Sequence, residues 1–196
     1  MAAKVKLTEE SITTILRSHY NQGYTYRLNN IFIYGADWES DFFCVDDEGY
    51  ASEFEIKISR ADFKGDFKKY KHLLFRKMEK RGLLMPNKFY YVVPDGMVSP
   101  DDIPRYAGLI YVVGSHLKVV RRAPYLHKEK RDYRRIIAPK VYERYAVQRR
   151  QLAVVRYENI ELKKLIRDFT KFLPKEKQAV LQQNFYLQEV VIPKIS

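Results

Sequence analysis

The chain has 196 residues with a hydrophobic fraction of 46% and an aromatic fraction of 14%, which suffices for one packed domain with extensions or at most two small domains. A formal net charge of +12 and a pI near 9.6 point to an anionic partner, nucleic acid first and a membrane surface second, because Lys and Arg release counterions from phosphates. The single cysteine, Cys44, excludes an intrachain disulfide and a cysteine-based zinc cluster, and no apolar run reaches the length of a membrane span.

The start, Met1 to Thr8, has no apolar signal-peptide core, so the expectation is an intracellular, cytoplasmic protein. Leu7-Thr8-Glu9-Glu10-Ser11-Ile12 has the features of a helix start. Thr8 can cap, Glu9 and Glu10 suit the positive end of the helix dipole, and Leu7 can staple to Ile12. Ile12, Ile15, Leu16 and Tyr20 fall on one face, with Glu9 on its flank. Asn21-Gln22-Gly23 ends the helix, and Tyr24 to Tyr34 reads as a β segment. It leads into Gly35-Ala36-Asp37-Trp38-Glu39, whose acids either join an acidic cluster or belong to a solvated loop.

From Ser40 to Ser59 the chain reads as two strands joined by a tight turn at Asp46-Asp47-Glu48-Gly49. Glu53, Glu55 and Lys57 alternate with Phe54, Ile56 and Ile58, so the charged residues share one side of the strand and the apolar ones the other. The hairpin returns Asp41 alongside the second strand, at what should be a sheet edge. Hard divalent cations accept one or two carboxylates and keep some water. A lysine beside them can steady charge on a phosphate, the chemistry of metal-assisted phosphodiester hydrolysis. Asp46 and Asp47 compete for the place of first acid, although their position suits turn chemistry. Glu53 is open to two roles, an accessory ligand or a surface carboxylate. Cross-strand ion pairing on a solvated face would produce the same alternation.

Asp41, followed fourteen positions later by Glu55-Ile56-Lys57, resembles the PD-(D/E)XK nuclease superfamily. The runs Glu53 to Phe63, Asn87 to Pro94 and Tyr106 to Ile110 resemble its MmcB-like branch, a group linked to bacterial DNA repair and also found in phage-related genes. The likeness extends from about Gly35 to Pro124, and Ser40 stands where the superfamily name has proline. It implies a restriction-endonuclease-like α/β fold and a DNA endonuclease that uses Mg2+ or Mn2+. Asp41 and Glu55 would hold the metal and Lys57 would aid catalysis, with Glu9, Glu53 and Lys71 as accessory candidates.

After the hairpin, Ser59-Arg60-Ala61-Asp62 has the form of a capping box, and one helix should follow with Phe63, Phe67, Tyr70 and Leu74 buried. Its other faces carry Lys64, Lys68, Lys69, Lys71, Arg76 and Lys77, candidates for the nucleic-acid backbone or simply a solvated basic face. Lys71-His72 could help position a phosphate. Arg81-Gly82 should end the helix, Lys88 to Val93 reads as a buried central strand, and Ser99-Pro100-Asp101-Asp102 as a helix start. Leu109 to Val113 and Leu117 to Val120 form a strand pair around Gly114-Ser115. This order predicts a mixed α/β sheet flanked by helices.

Between Lys118 and Arg150, twelve Lys and Arg face three acids, so this stretch carries +9 of the formal +12. Arg121, Arg122, Lys128, Lys130, Arg131, Arg134 and Arg135 are candidates for phosphate contacts, with Tyr125, Tyr133, Tyr142 and Tyr145 interleaved for base stacking. A solvated Arg-rich helix would look similar. The tail from Glu158 to Leu173 is amphipathic, Pro174 breaks it, and a short helix should run on to about Val190. The expected organisation is a nuclease-like core over 1–124 and a basic, mainly helical extension over 125–196. That extension would pack on the core or form a homodimer contact. The alternative to an enzyme is a non-catalytic DNA-binding module of the same fold in a repair or phage complex.

Overall fold

The computed structural model describes residues 7–35, 38–76, 85–172 and 174–175. The chain divides into two units, Met1–Lys140 and Val141–Ser196. In the first, six strands lie in sequence order, β1 (Tyr24–Ile31), β2 (Ser40–Asp46), β3 (Ala51–Ile56), β4 (Lys88–Pro94), β5 (Ala107–Val113) and β6 (His116–Arg121). The first three pair antiparallel, β3, β4 and β5 pair parallel, and β6 returns antiparallel. This is an α/β fold with a mixed sheet. The parallel pairs need crossovers. Helices α2 (Arg60–Asp66) and α3 (Tyr70–Arg76) lie between β3 and β4, and a single 3-10 turn at Pro100–Asp102 lies between β4 and β5.

Helix α1 (Glu9–His19) starts where the Thr8 hydroxyl accepts a hydrogen bond from the Ser11 amide and the Ser11 hydroxyl accepts one from the Thr8 amide. It packs Ile12 and Leu16 on one sheet face, against Phe42, Cys44, Phe54, Ile56, Val92 and Ile110. The opposite face meets Phe63 of α2 and Phe75 of α3 through Phe89, Tyr91 and Leu109. A third cluster joins Phe43 and Val45 to Tyr133 and Ile137, the latter at the start of α4 (Arg134–Thr170). The alternation of partners along β3, β4 and β5 follows the period of two that a two-sided core demands.

Several expectations are corrected here. The hairpin lies in the interior of the sheet rather than at an edge, because β1 covers β2 and β4 covers β3. The helix after Ser59 is interrupted: the Lys69 amide bonds the Asp66 carbonyl three residues back, α3 begins anew at Tyr70, and the shifted phase leaves Tyr70 69% exposed. The helix start at Ser99 yields one 3-10 turn and no more. A core ending at 124 is too short, since Leu126, Tyr133 and Ile137 are built into the interior. Buried Asn87 clips this stretch down, its Oδ1 accepting from the Ala51 amide at 2.7 Å and its Nδ2 donating to the Glu129 carbonyl at 2.8 Å. The expectations at Asp37, Lys77, Arg81-Gly82, Leu173 and the tail beyond Lys175 lie outside the described residues.

Gly108 on β5 lies close against the Tyr90 ring and the Ala123 backbone. A Cβ there would come 2.4 Å from Tyr90 ring carbons and 2.7 Å from the Ala123 amide nitrogen. Gly108→Ala is therefore expected to destabilise the fold by about 1–3 kcal/mol through overpacking, read as a lower urea midpoint at unchanged slope. A loss within a few tenths of a kcal/mol would show that the strand yields freely.

Candidate active site

One step along the Phe42↔Phe54 register brings Asp41 level with Glu55 on neighbouring strands. Its Oδ2 accepts a hydrogen bond from the Ile56 amide at 2.7 Å, a tie that holds the carboxyl at the mouth of the hairpin. The carboxyl also lines an open groove of about 750 Å3 together with Thr8, Glu9, Glu10, Arg17 and Ile58. Asp41 and the sequence candidate Glu9 thus share one groove, although they are 32 positions apart in the chain. Burial and the nearby negative charge of Glu55 push the Asp41 carboxyl up to about 7, against the opposing pull of the Ile56 amide and of Lys57 and Lys71.

Glu53 and Glu55 are fully buried, and Lys57, just past the end of β3, is nearly so. The reading of Glu53 as a surface carboxylate is corrected by this. Its two oxygens accept from the Trp38 indole at 2.9 and 3.1 Å, and Oε1 also accepts from Lys71 at 3.0 Å. Glu55 accepts from Lys57 at 2.8 Å and Lys69 at 2.5 Å through Oε1, and from Lys71 through Oε2. Burial works against the charge of Lys71, but Glu53 and Glu55 outweigh it and hold the ammonium well above the usual lysine range. Lys57 is raised likewise, by Glu55 first and then by Asp66 and Asp41.

A residue that the sequence reading missed completes this arrangement. Asp66, three positions after buried Phe63 on α2, turns inward. Its Oδ1 stands 2.7 Å from Lys69 and 3.4 Å from Lys57, and its Oδ2 accepts from Tyr91 at 2.8 Å and faces His72 Nε2 at 2.8 Å. Burial disfavours its charge, yet His72, the lysines and the neighbouring hydrogen bonds hold its carboxyl far below the usual range. His72 is pinned on its other side by the Tyr106 hydroxyl, 2.9 Å from Nδ1, which makes it an interior link and removes it from phosphate positioning. An acid on the apolar face of a short helix was the available signal for Asp66. Lys69 was visible only as one of several basic residues, and Trp38 as a loop residue.

Around β3, then, three carboxylates (Glu53, Glu55, Asp66) meet three ammoniums (Lys57, Lys69, Lys71). Exposed Asp62 adds a contact to Lys57 at 3.5 Å on the rim. Asp41 is the acid beside this set, and two ammoniums that act on it, Lys57 and Lys71, also bond Glu55 directly. Among the described residues, no three His, Cys, Asp or Glu side chains converge as a metal-ligand group.

The candidates for nucleic-acid contact separate into two sets. Lys64, Lys68, Arg122, Lys128, Arg134 and Arg135 are exposed. Lys130 is exposed too, reaching Glu48 at 3.5 Å and the Tyr50 ring, and Arg131 pairs with Glu129 at 3.2 Å. Arg121 is corrected: its guanidinium donates to the carbonyls of Pro100, Ile103, Pro104 and Ala107 at 2.6–3.0 Å, so it staples the β4–β5 crossover instead of facing a phosphate. Tyr133 is corrected as well, since its ring lies in the core against Phe43.

Removing one partner from a buried ion cluster strands charge in the interior. Lys71→Met is expected to cost about 3–5 kcal/mol in urea unfolding, and Glu53→Gln in the same chain should restore part of that loss. Simple additivity of the two changes would mean that the groups are not coupled.

No family model matches the chain, and no curated protein matches it. A solved structure of a protein of unknown function from Silicibacter pomeroyi is similar in fold, with 20% sequence identity and a TM-score of 0.50 over 80% of this chain and 94% of that one.

Proposed function

We propose that the chain is a Mg2+- or Mn2+-dependent DNA endonuclease of the PD-(D/E)XK type, with the repair or phage character that its resemblance implies. The observation that carries this reading is the charge balance beside β3. Three buried acids are matched by three lysines, while Asp41 next to them has its proton held up to about 7 by burial and by Glu55. An acid in that condition beside a second carboxylate favours a divalent cation, and one or two carboxylates are the usual protein share for Mg2+. Asp41 and Glu55 would hold the ion. When bound, it would supply Lewis-acid stabilisation of charge on the scissile phosphate. Lys57 stays protonated beside Glu55 and supplies fixed positive charge where negative charge develops. Lys69, half-exposed at the rim, presents a second ammonium toward a phosphate. Exposed Lys64, Lys68, Lys128 and Lys130 would add sequence-independent attraction to the backbone.

A second reading, a DNA-binding module without turnover, is favoured by one specific observation. Both Glu55 oxygens are already engaged by Lys57, Lys69 and Lys71, so the carboxylate must release an ammonium to take a metal. Incubation of the purified chain with plasmid and single-stranded DNA, with magnesium, manganese or chelator, separates the readings. Metal-dependent cleavage is expected, with Asp41→Ala and Lys57→Ala each reducing it by about 100-fold or more. Cleavage unchanged in these variants removes the proposed site. Steeply salt-dependent binding with no cleavage by the wild type establishes the second reading.

The Asp41 proton gives a separate test. The folded chain holds it up to about 7, whereas an unfolded chain releases it near pH 4. The stability that this proton brings is therefore fully present below about pH 4 and is lost as pH rises through about 7. Asp41→Asn keeps an oxygen for the Ile56 amide and does not titrate. Its urea stability relative to wild type should rise between about pH 5 and pH 8, and magnesium should narrow the gap at the upper end. A pH-independent difference would mean that the carboxyl titrates in its ordinary range.

A further inference from the structure

Between Val141 and Leu162, α4 carries Val141, Tyr145, Leu152, Val155 and Leu162, with Gln148 and Asn159 completing a series of alternating four- and three-residue steps. The five apolar side chains are 41–58% exposed. Steps of four and three average 3.5 residues, the repeat of a two-stranded supercoil, rather than the 3.6 of a helix lying on a globular core. Tyr145, Leu152 and Asn159 then hold the first heptad position, and Val141, Gln148, Val155 and Leu162 the fourth. We propose that this seam pairs with the same seam of a second copy of the chain, as a parallel two-stranded coiled coil.

Two features select that occupant. Asn159 is a lone amide at a first heptad position, where it needs an amide at its own level. A second copy in parallel register supplies one, and such an asparagine selects two strands at some cost in stability. Glu158 precedes that position, and Lys163, five residues on, follows the next fourth position, so in parallel register each Glu158 lies across from Lys163 of the other copy. The same register sets Arg144 across from Arg149, one like-charge contact, whereas an antiparallel pair would set the three basic residues Arg149, Arg156 and Lys163 of the two copies against one another. No residue of the proposed active site lies on this seam.

Sedimentation equilibrium of the full chain over a range of concentrations tests it. A dimer mass is expected, with Leu152→Asp and Leu162→Asp each weakening association by about 100-fold or more, as loss of a buried seam leucine implies. Val147→Asp, off the seam but on the same helix, should leave the mass unchanged. Val155→Cys should form a disulfide-linked dimer under mild oxidation, because identical fourth positions face each other only in a parallel pair. Buried Cys44 does not compete. A monomer throughout, a trimer or tetramer, a dimer indifferent to the two leucine variants, or no cross-link from Val155→Cys would each overturn the proposal. Unchanged far-ultraviolet circular dichroism in the variants confirms that the fold is retained, since every substituted side chain is exposed.

Discussion

Glu53 and Glu55 enter the interior on β3, flanked on both sides by other strands, and the surrounding structure has to neutralise them there. An unpaired carboxylate in that setting costs several kcal/mol. The chain answers with ammoniums from two directions: Lys57 from the end of the same strand, and Lys69 and Lys71 from the segment after α2. The break between α2 and α3 follows from this demand. A continuous helix would carry residues 69 and 71 about 200° apart around its axis, whereas the turn at 67–69 lets both reach Glu55. Asp66, Tyr91, His72 and Tyr106 then extend the network across the face of β4.

Stability alone gives no reason for such a set. Apolar residues of similar volume would hold a sheet equally well or better. A cluster of three acids and three lysines beside a fourth acid pushed up to about 7 by burial and by Glu55 is an arrangement suited to electrostatic work on a charged ligand, and clefts where burial and like charge shift a carboxyl are where such work is done. The groove under α1, which brings Asp41 and Glu9 together, would give such a ligand a way to Asp41. Glu55, enclosed by lysines, is reached only if one of them moves, and this is the point on which catalysis and simple binding differ.

The positive charge of the chain is distributed between two uses. Arg121 is consumed in stapling four backbone carbonyls, and Lys71 and Lys57 in holding buried acids. Lys64, Lys68, Arg122, Lys128, Arg134 and Arg135 are exposed, where their charge acts at long range. In the second unit five of the exposed apolar side chains of α4, Val141, Tyr145, Leu152, Val155 and Leu162, fall on one seam with a heptad spacing. No helix among the described residues is long and apolar enough to cross a membrane.

By itself the sequence determined whatever depends on short-range periodicity. The Thr8 cap, the β2–β3 hairpin with its Asp46–Gly49 turn, the two-sided alternation of β3, and β4 to β6 all follow from neighbours a few residues apart, because side-chain direction repeats locally. For the candidate site the sequence supplied Asp41, Glu55 and Lys57, since the hairpin register is itself local. It could not supply Asp66, Lys69 or Trp38 as partners of those groups, or tell Arg121 and Tyr133 apart from their exposed neighbours. Burial decides these roles, and burial is a property of what packs above a residue from far along the chain: α2 and α3 over β3 and β4, Leu126 in the cluster on β4 and β5, and Tyr133 and Ile137 over β2. Only the tertiary structure could therefore decide which charges are solvated and which are locked into the interior.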